Sequence, residues 1–352
     1  MGNTAEKATL PFALNHPRVL LVVRYASILT AALVAFAVVL LAVGKDPFQA
    51  YADTFIYTFG SLRGFSEVIA RMIPLVLTAA AVALPSRLGL INIGGEGQLY
   101  MGAWLATWGA LTFDHLPKLV LLPMVALLGF IGGGLWAALA GALRAKGWVH
   151  ETISTLLLNY VAPAWANYFI FGPWRSPDSA SYPQSDALVD AARLPTFGDS
   201  RVHVGLLLGW LALAFYWFLF RTTRWGLEMR AIGGNPDGAR RVGIPLGTYI
   251  ILAMFLAGGI AGLAGMGQVS AVEGRLKQGL STGYGFAGFL ISWLAGGNPL
   301  GILLMAFLLS VIRTGGDILQ ITQGLPFAAV NILLALVLMI VLARPALAER
   351  RT

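Results

Sequence analysis

The feature that most constrains this chain is a succession of apolar segments, each about 20 residues long and nearly free of charge. A helix of that length crosses the roughly 30 Å hydrocarbon core of a bilayer. Of the 352 residues, 57% are hydrophobic and only 11% are charged, whereas a soluble domain carries about 25% charged residues. The polar side chains are too few to cover a water-facing surface. The chain is therefore predicted to be an all-α, polytopic transmembrane helical bundle.

Ten candidate spans follow one another along the chain. They lie at about 19–43, 65–84, 90–112, 118–142, 152–172, 203–220, 248–271, 284–296, 300–313 and 326–343. The eighth and ninth are short, and only Gly296 to Pro299 separates them, so they are either two short helices or one broken helix. We predict about ten spans with broken or short helices, inside a transmembrane domain of residues 19–343.

The distribution of lysine and arginine indicates the orientation of the bundle. With the N-terminus inside, the inner segments hold most of the basic residues, and aspartates outnumber arginines in the largest outer segment. The positive-inside rule then favours both termini in the cytoplasm, with cytoplasmic tails at 1–18 and 344–352. The same distribution explains most of the net charge of +8, so nucleic acid is not needed as a partner.

The largest outer segment, residues 173–202, is an extracytoplasmic loop rich in Pro, Ser, Asp and Ala. It is too long for a simple connector. One interpretation is a surface on which an external partner lands. The other is an elaborated loop with one short surface helix.

Several kinds of catalytic or cofactor site are not supported. The chain has no cysteine, so a thiolate nucleophile and a Cys-ligated metal are excluded. The histidines are scattered, and no P-loop signature occurs. Residues 283–288 match the dinucleotide fingerprint G-x-G-x-x-G, but they neither follow a strand nor belong to a βαβ unit. We expect no catalytic residues, no metal site and no cofactor.

Pairs of glycines at four-residue spacing indicate close helix packing. Small residues at this spacing let two helix backbones approach each other. Three pairs fit the pattern: Gly129/Gly133, Gly258/Gly262 and Gly297/Gly301. We expect all three to lie at helix–helix contacts.

The most informative segment, residues 89–98, places polar side chains among four glycines at the start of an apolar span. These side chains are Asn92, Glu96 and Gln98. A carboxylate at membrane depth is costly unless it is paired or hydrated, and irregular backbone survives there only where it is buried or lines a cavity. The segment therefore predicts a substrate pathway. The structural alternative is that Glu96 pairs with Arg87 or caps the helix.

A second polar segment lies near the start of the fifth span. Thr152, Thr155 and Asn159 fall at i, i+3 and i+7, so they share one face of a helix. That face could line the pathway, with Thr155 and Asn159 as candidate residues. Hydrogen bonding between helices explains the pattern equally well.

The third segment, within a cytoplasmic loop at 221–247, predicts a short and deliberately terminated helix. Asn235 suits the N-cap, Pro236 the first position and Asp237 the positive helix end. Gly243 can supply a left-handed residue at the end. The helix would span about two turns and carry Ala239, Arg240 and Arg241. It either caps the inner face of its own bundle or is a coupling helix that inserts into a cytoplasmic partner.

Together the three segments resemble the permease subunits of bacterial ABC importers, in the broad family that also serves simple sugars and branched-chain amino acids. Residues 88–98 resemble the Gly-x-x-Asn-Ile-Gly-x-Glu-Gly-Gln signature of the nucleoside branch, and residues 151–160 and 230–244 are similar to further stretches of that branch and family. The resemblance covers roughly residues 65–343. It implies alternating access in the bacterial inner membrane, with a nucleoside or related small polar solute as cargo.

The resemblance also implies partners. They are an ABC ATPase subunit that uses the ATP, a second homologous permease subunit, and a periplasmic or lipoprotein substrate-binding protein, all assembled at the lipid bilayer. Two other transport functions stay open: an ABC permease for simple sugars, and an ion-coupled secondary transporter in which Glu96 titrates. A membrane-embedded enzyme has no support from the sequence.

Overall fold

A computed structural model of the protein describes residues 30, 33–179, 182–324 and 332. These residues are mainly helical, and their only β pairing consists of isolated bridges. The two predicted tails lie outside the described residues, as does the tenth candidate span apart from residue 332. The chain divides into two compact units, Met1–Gly60 with Ile312–Thr352, and Ser61–Val311.

The first unit contains α1 (Leu33–Ala42) and α2 (Pro47–Phe59), which are bent by 119° relative to each other. α1 ends close to the predicted end of the first span. α2 was not predicted, although its N-terminus carries a recognisable cap: Asp46 accepts a hydrogen bond from the Phe48 amide at 2.8 Å. A small apolar core holds this unit together and consists of Phe36, Leu40, Ala50 and Leu319.

The second unit is a helical bundle built around α10. In chain order its helices are α3 (Leu62–Ser86), α4 (Gly95–Thr112), α5 (Lys118–Ala145), α6 (Glu151–Phe171), α7 (Gly205–Thr222), α8 (Arg224–Gly234), α9 (Pro236–Arg241), α10 (Leu246–Gly267), α11 (Tyr284–Leu294) and α12 (Pro299–Gln323), of which α12 leaves the unit at residue 312. One π-helical turn, Gln268–Glu273, extends α10. α10 packs on α3, α4 and α5, and α11 packs on α3 and α4.

Two of the three predicted glycine pairs lie at a helix–helix contact, between α5 and α10. A methyl group on Gly133 would overlap the carbonyl oxygen of Gly258, and one on Gly262 would overlap that of Gly129. The third prediction is wrong. Gly297 has φ +66° and belongs to the turn between α11 and α12, where a left-handed residue ends one helix before the next begins.

Five described helices are long and apolar enough to cross a membrane: α3, α5, α7, α10 with its π-helical turn, and α12. If α1 and α2 count as one bent span, the number is six. α4 and α6 coincide with predicted spans but are less apolar, and α11 has only 11 residues. The structure thus supports a helical, multi-pass chain, and the total of about ten spans stays a prediction.

Some boundaries differ from the predictions. α4 begins at Gly95 rather than at 90, because side chains of α6 hold residues 90–94 in an irregular conformation. Of the two alternatives for the eighth and ninth spans, α11 and α12 are two separate helices. α12 continues through polar residues to Gln323 instead of ending near 313. In the loop at 221–247, α8 precedes the predicted helix, and Thr223 caps it by accepting from the Gly226 amide at 3.1 Å.

The predicted outer loop at 173–202 is mostly irregular where it is described. It contains one short 3-10 turn, Asp190–Ala192. It also lies against the segment after α10: the Ser185 amide donates to the Leu276 carbonyl at 2.8 Å, and the Leu188 amide donates to the Gly274 carbonyl at 2.8 Å. The loop and the segment after α10 are therefore joined by backbone hydrogen bonds.

Candidate functional site

One face of α6 holds the irregular segment that precedes α4. Glu151, Thr155 and Asn159 recur at i, i+4 and i+8, so their side chains lie one above another. Each accepts a hydrogen bond from a backbone amide of the segment or of the start of α4: Glu151 Oε1 from Ile91 N at 3.1 Å, Thr155 Oγ1 from Ile93 N at 3.3 Å, and Asn159 Oδ1 from Gly97 N at 2.8 Å. Through this face the irregular backbone keeps hydrogen-bond partners although it lies outside a helix.

The predicted polar face of α6 therefore exists, and its side chains bond to the segment before α4 and to the start of α4. Its residues differ from the predicted set at one position. Thr152 is bonded to His150 and Glu151 takes its place. Glu151 was not among the predicted site residues, although it is buried and pairs with Arg144 at 2.9 Å. The signal that could have found it is the i, i+4, i+8 spacing of acceptor side chains.

Asn92 and Gln98 form a reciprocal amide pair. Asn92 Nδ2 donates to Gln98 Oε1 at 3.1 Å, and Gln98 Nε2 donates to Asn92 Oδ1 at 2.8 Å. Asn92 Oδ1 also accepts from the Gly94 amide at 3.0 Å. Both side chains are buried. The pair ties the irregular segment to the first turn of α4.

Glu96 lies where the N-termini of α4 and α11 meet. It is buried in the first turn of α4, and its Oε2 accepts from the Gly285 amide, in the first turn of α11, at 2.8 Å. A carboxylate is favoured near the positive end of a helix. Of the structural alternatives, the pair with Arg87 is wrong, because Arg87 binds elsewhere. Helix capping does occur, although the capped amide belongs to α11.

Arg87 holds the opposite end of α11. Its Nη2 donates to the carbonyl of Gly297 at 3.0 Å, and its Nε donates to Tyr216 Oη at 2.7 Å. The Tyr216 hydroxyl donates to the same Gly297 carbonyl at 2.7 Å. These bonds fix the turn that ends α11, and sequence reasoning did not identify Tyr216 as part of the site.

Glycine at 285 permits the contact with Glu96. A methyl group there would overlap the backbone nitrogen of Glu96, and one on Gly288 would overlap Thr78 of α3. In the run at 283–288 that matches a dinucleotide fingerprint, Gly285 and Gly288 thus serve close packing of α11 against α4 and α3. Among the described residues, no group of His, Asp and Glu is arranged to hold a metal ion.

The five candidate pathway residues are brought together around the start of α4. Asn92, Glu96, Gln98, Thr155 and Asn159 are all buried, and each hydrogen-bonds inside the bundle. Their observed contacts fix the irregular segment and the end of α11. The site is a buried polar joint between α4, α6 and α11.

The predicted short helix is present as α9, with its predicted caps. Asn235 Oδ1 accepts from the Gly238 amide at 2.9 Å, and Gly243 has φ +85°. Ala239 is buried, whereas Arg240 and Arg241 are exposed. α9 therefore rests on its own bundle through one small side chain and presents both guanidinium groups outward.

α8 is fastened to the bundle just before α9. Arg224 Nε donates to Glu228 Oε1 at 2.7 Å, and the Tyr249 hydroxyl of α10 donates to Glu228 Oε2. The hydrogen bond from Tyr249 and then that from Arg224 lower the pKa of Glu228 below its ordinary value. Glu228 stays ionised and links the two helices.

Comparison with known proteins identifies the family. Residues 64–343 match the family described as the permease component of the branched-chain amino acid transport system. The chain is 35% identical over 320 residues to a glucose ABC transporter permease of Haloferax volcanii, across 88% of this chain and 84% of the relative. It is 32% identical to a nucleoside ABC transporter permease of Lactococcus lactis, across 86% and 85%. It is 33% identical to a guanosine ABC transporter permease of Bacillus subtilis, across 88% and 89%.

No solved structure matches the chain. The family match covers most of the chain, and it agrees with the several apolar helices found in the fold. The chain therefore belongs to the family of permease components of the branched-chain amino acid transport system.

Proposed function

We propose that the chain is the membrane-spanning permease subunit of an ABC importer in the bacterial inner membrane. It moves a nucleoside or a related small polar solute inward by alternating access. The observation that carries this proposal is α9, a capped helix of 6 residues with two exposed arginines. A helix this short is unstable alone. Because it is nevertheless capped and docked on the bundle, we interpret it as a surface that binds a partner.

The partner proposed for α9 is a separate ATPase, because the relatives are permeases of ABC transporters and no P-loop signature occurs in this sequence. In this proposal Arg240 and Arg241 contact the ATPase, and Asn235, Pro236, Asp237 and Gly243 hold the helix in shape. The energy for transport comes from ATP hydrolysis on that subunit. A second homologous permease completes the pore, and a binding protein delivers the solute at the 173–202 loop.

The proposed topology has about ten spans with both termini in the cytoplasm. Support comes from the basic residues, which concentrate on the proposed inner side. Contacts at the two ends of α3 agree with this division. Arg201 of the proposed outer loop pairs with Glu67 near the start of α3, and Gly233 of α8 lies against the backbone of Arg87 beyond its end.

In this proposal the five residues of the polar joint hold in place the helices that form the wall of the substrate pathway. A Glu96→Gln variant is expected to lower uptake by the complete complex while the subunits still copurify. Unchanged uptake would place Glu96 outside the transport mechanism.

Two relatives favour a nucleoside as cargo, and the Asn92–Gln98 signature agrees with them. The glucose permease of Haloferax volcanii favours a simple sugar as the second candidate. Both cargoes are small polar solutes with several hydroxyl groups, and the polar joint, whose side chains bond inside the bundle, does not distinguish between them.

The deciding experiment is uptake into proteoliposomes that contain this chain, its ATPase, the second permease and the binding protein. We expect ATP-dependent uptake of labelled guanosine, adenosine or uridine, which vanadate abolishes. Uptake of glucose alone would select the sugar alternative. Uptake by the single chain under an ion gradient would show an ion-coupled transporter and contradict the ABC mechanism.

A further inference from the structure

An open cavity of about 770 Å³ lies at the N-terminal end of α3. Its wall is formed by the first two turns of α3 and by the segment at 197–202 that leads into α7. Both charged and apolar side chains line it, including Arg63, Arg201, Asp199 and Phe65. The proposed function uses one lining residue, Arg201, in support of the topology through its pair with Glu67, but it assigns no ligand to this cavity.

The charges around the cavity leave a guanidinium group available. Glu67 pairs with Arg71 at 2.9 Å and with Arg201 at 3.3 Å, so two arginines share one carboxylate. Arg63 forms no ion pair with any residue in the described part of the chain, and neither does Asp199. Among the described side chains around the cavity there are thus three arginines and two carboxylates, an excess of one positive charge. Two of these arginines, Arg63 and Arg201, line the cavity.

The position of the cavity along α3 corresponds to the level of lipid headgroups. A hydrocarbon core of about 30 Å takes about 20 helical residues. Counted back from Arg87, just beyond the end of α3, this length ends near Glu67 and places Arg63 one turn above the hydrocarbon. This estimate holds for either orientation of the bundle.

An apolar stripe on α3 forms part of the wall of this cavity. Leu62, Phe65 and Ile69 recur at i, i+3 and i+7, which places them on one face of the helix. Leu62 is 90% exposed and Phe65 is 41% exposed. Leu62 lies just before Arg63, whereas Phe65 and Ile69 follow it towards the hydrocarbon. An amphiphile with its acidic head at Arg63 can therefore lay its apolar tail on Phe65 and Ile69.

We propose that this cavity binds the headgroup of an anionic phospholipid. The phosphodiester lies between Arg63 and Arg201, since a guanidinium group binds phosphate oxygens through two parallel hydrogen bonds. The acyl chains run along the apolar stripe. The part of the 173–202 loop that lines this cavity suits a lipid better than the binding protein, because the cavity lies at the headgroup level and Arg63 is next to exposed apolar side chains.

The test is native mass spectrometry of the full chain in detergent, titrated with phosphatidylglycerol or phosphatidylcholine. We expect phosphatidylglycerol to bind at least about tenfold more tightly than phosphatidylcholine. Arg63→Gln and the double variant Arg63→Gln/Arg201→Gln should reduce this preference at least about fivefold. Arg175→Gln removes the same charge from the outer loop outside the cavity, and it should leave the preference unchanged.

Arg63→Gln alone keeps the proposal falsifiable, because the Arg63 side chain holds no described ion pair and its loss should not unfold the protein. Equal binding of both lipids, or an unchanged preference in Arg63→Gln, would overturn the proposal. Displacement of phosphatidylglycerol by inorganic phosphate at similar concentration would also overturn it, because the acyl chains would then contribute nothing. A double variant that retains the lipid but loses the binding protein would contradict it as well, because the arginines would then serve the protein partner.

Discussion

Glu96 and Arg87 bind opposite ends of the same short helix, α11. The carboxylate accepts from the Gly285 amide in the first turn, and the guanidinium group donates to the Gly297 carbonyl in the turn beyond the last residue. Negative charge at the N-terminus and positive charge at the C-terminus both complement the helix dipole. α11 is therefore held in place by charge as well as by packing.

Removing the carboxylate at the first end should destabilise the protein. Glu96→Ala is expected to cost about 1.5–3 kcal/mol, the usual value for a hydrogen bond to a charged group. Glu96→Gln keeps an acceptor oxygen and should cost about half as much. The measurement is the midpoint of thermal unfolding in detergent.

The matched control for this prediction is Glu273→Gln. Glu273 pairs with Lys277 at 2.6 Å, and both side chains are partly exposed. Such a pair contributes at most about 1 kcal/mol. If Glu96→Ala unfolds at the same temperature as the control variant, the bond to Gly285 does not hold α11.

A methyl group at Gly285 should be poorly tolerated. Gly285→Ala forces the N-termini of α4 and α11 apart, because the new Cβ would overlap the backbone of Glu96. Overpacking of this kind costs about 1–3 kcal/mol. Gly234→Ala is the control, since nothing lies within 4 Å of its Cβ position. Equal unfolding temperatures of the two variants would contradict the close approach.

Asn159→Ala should be one of the more damaging single substitutions in α6. Asn159 accepts from the Gly97 amide and donates to the Ile93 carbonyl, both at 2.8 Å. Each buried group left without a partner costs about 1–3 kcal/mol. The neighbouring Tyr160→Phe, at an exposed position, should change stability by less than about 0.5 kcal/mol. Thermal unfolding of both variants tests the comparison, and a mild effect at Asn159 would show that water replaces its bonds.

His203 should make the protein less stable in acid. Burial lowers its pKa to about 4, whereas an unfolded histidine has a pKa of about 6.5. Between these values the unfolded state binds more protons, so the free energy of unfolding falls as the pH drops from about 6.5 to about 4. The full effect is about 3 kcal/mol.

The control for this pH dependence is His203→Asn. His203 Nδ1 accepts from the Gly205 amide at 3.2 Å, and an asparagine oxygen can accept from the same amide without titrating. Unfolding temperatures measured from about pH 4 to about pH 7 should fall less steeply in the variant. Identical slopes in the two proteins would assign the acid sensitivity to other groups.

Reversing the two exposed charges of α9 should weaken binding of the ATPase. Arg240→Glu/Arg241→Glu places like charge against any acidic surface that the arginines contact, and a tenfold loss of affinity corresponds to about 1.4 kcal/mol. Copurification of the ATPase with the chain measures the effect. Arg175→Glu makes the same change of sign on the predicted outer loop and should copurify normally. Normal copurification of the α9 variant would place the ATPase elsewhere.

Local signals predicted some elements well. The Asn235 cap and the left-handed Gly243 define α9 through contacts within ten residues, so the sequence alone was sufficient. The spans that became α5 and α10 were also correct, because long uncharged stretches leave few alternatives in a membrane protein. By contrast, α2 was missed because polar residues interrupt its apolar surface.

The polar joint could be predicted only in part. That residues 89–98 were special followed from a carboxylate among glycines. The hydrogen-bond partners of this segment could not be predicted, because Gly285 and Glu151 are far away in sequence. Only the packed fold shows which amide each acceptor reaches. The role of Arg87 was missed for the same reason.

The contact between Gly233 and Arg87 limits how α8 can move. A methyl group at Gly233 would already overlap the carbonyl oxygen of Arg87, so the two backbones have no free space between them. The guanidinium group of the same arginine donates a hydrogen bond to the turn after α11. An inward push on α8 must therefore displace residue 87 and, with it, the turn after α11 that this side chain binds.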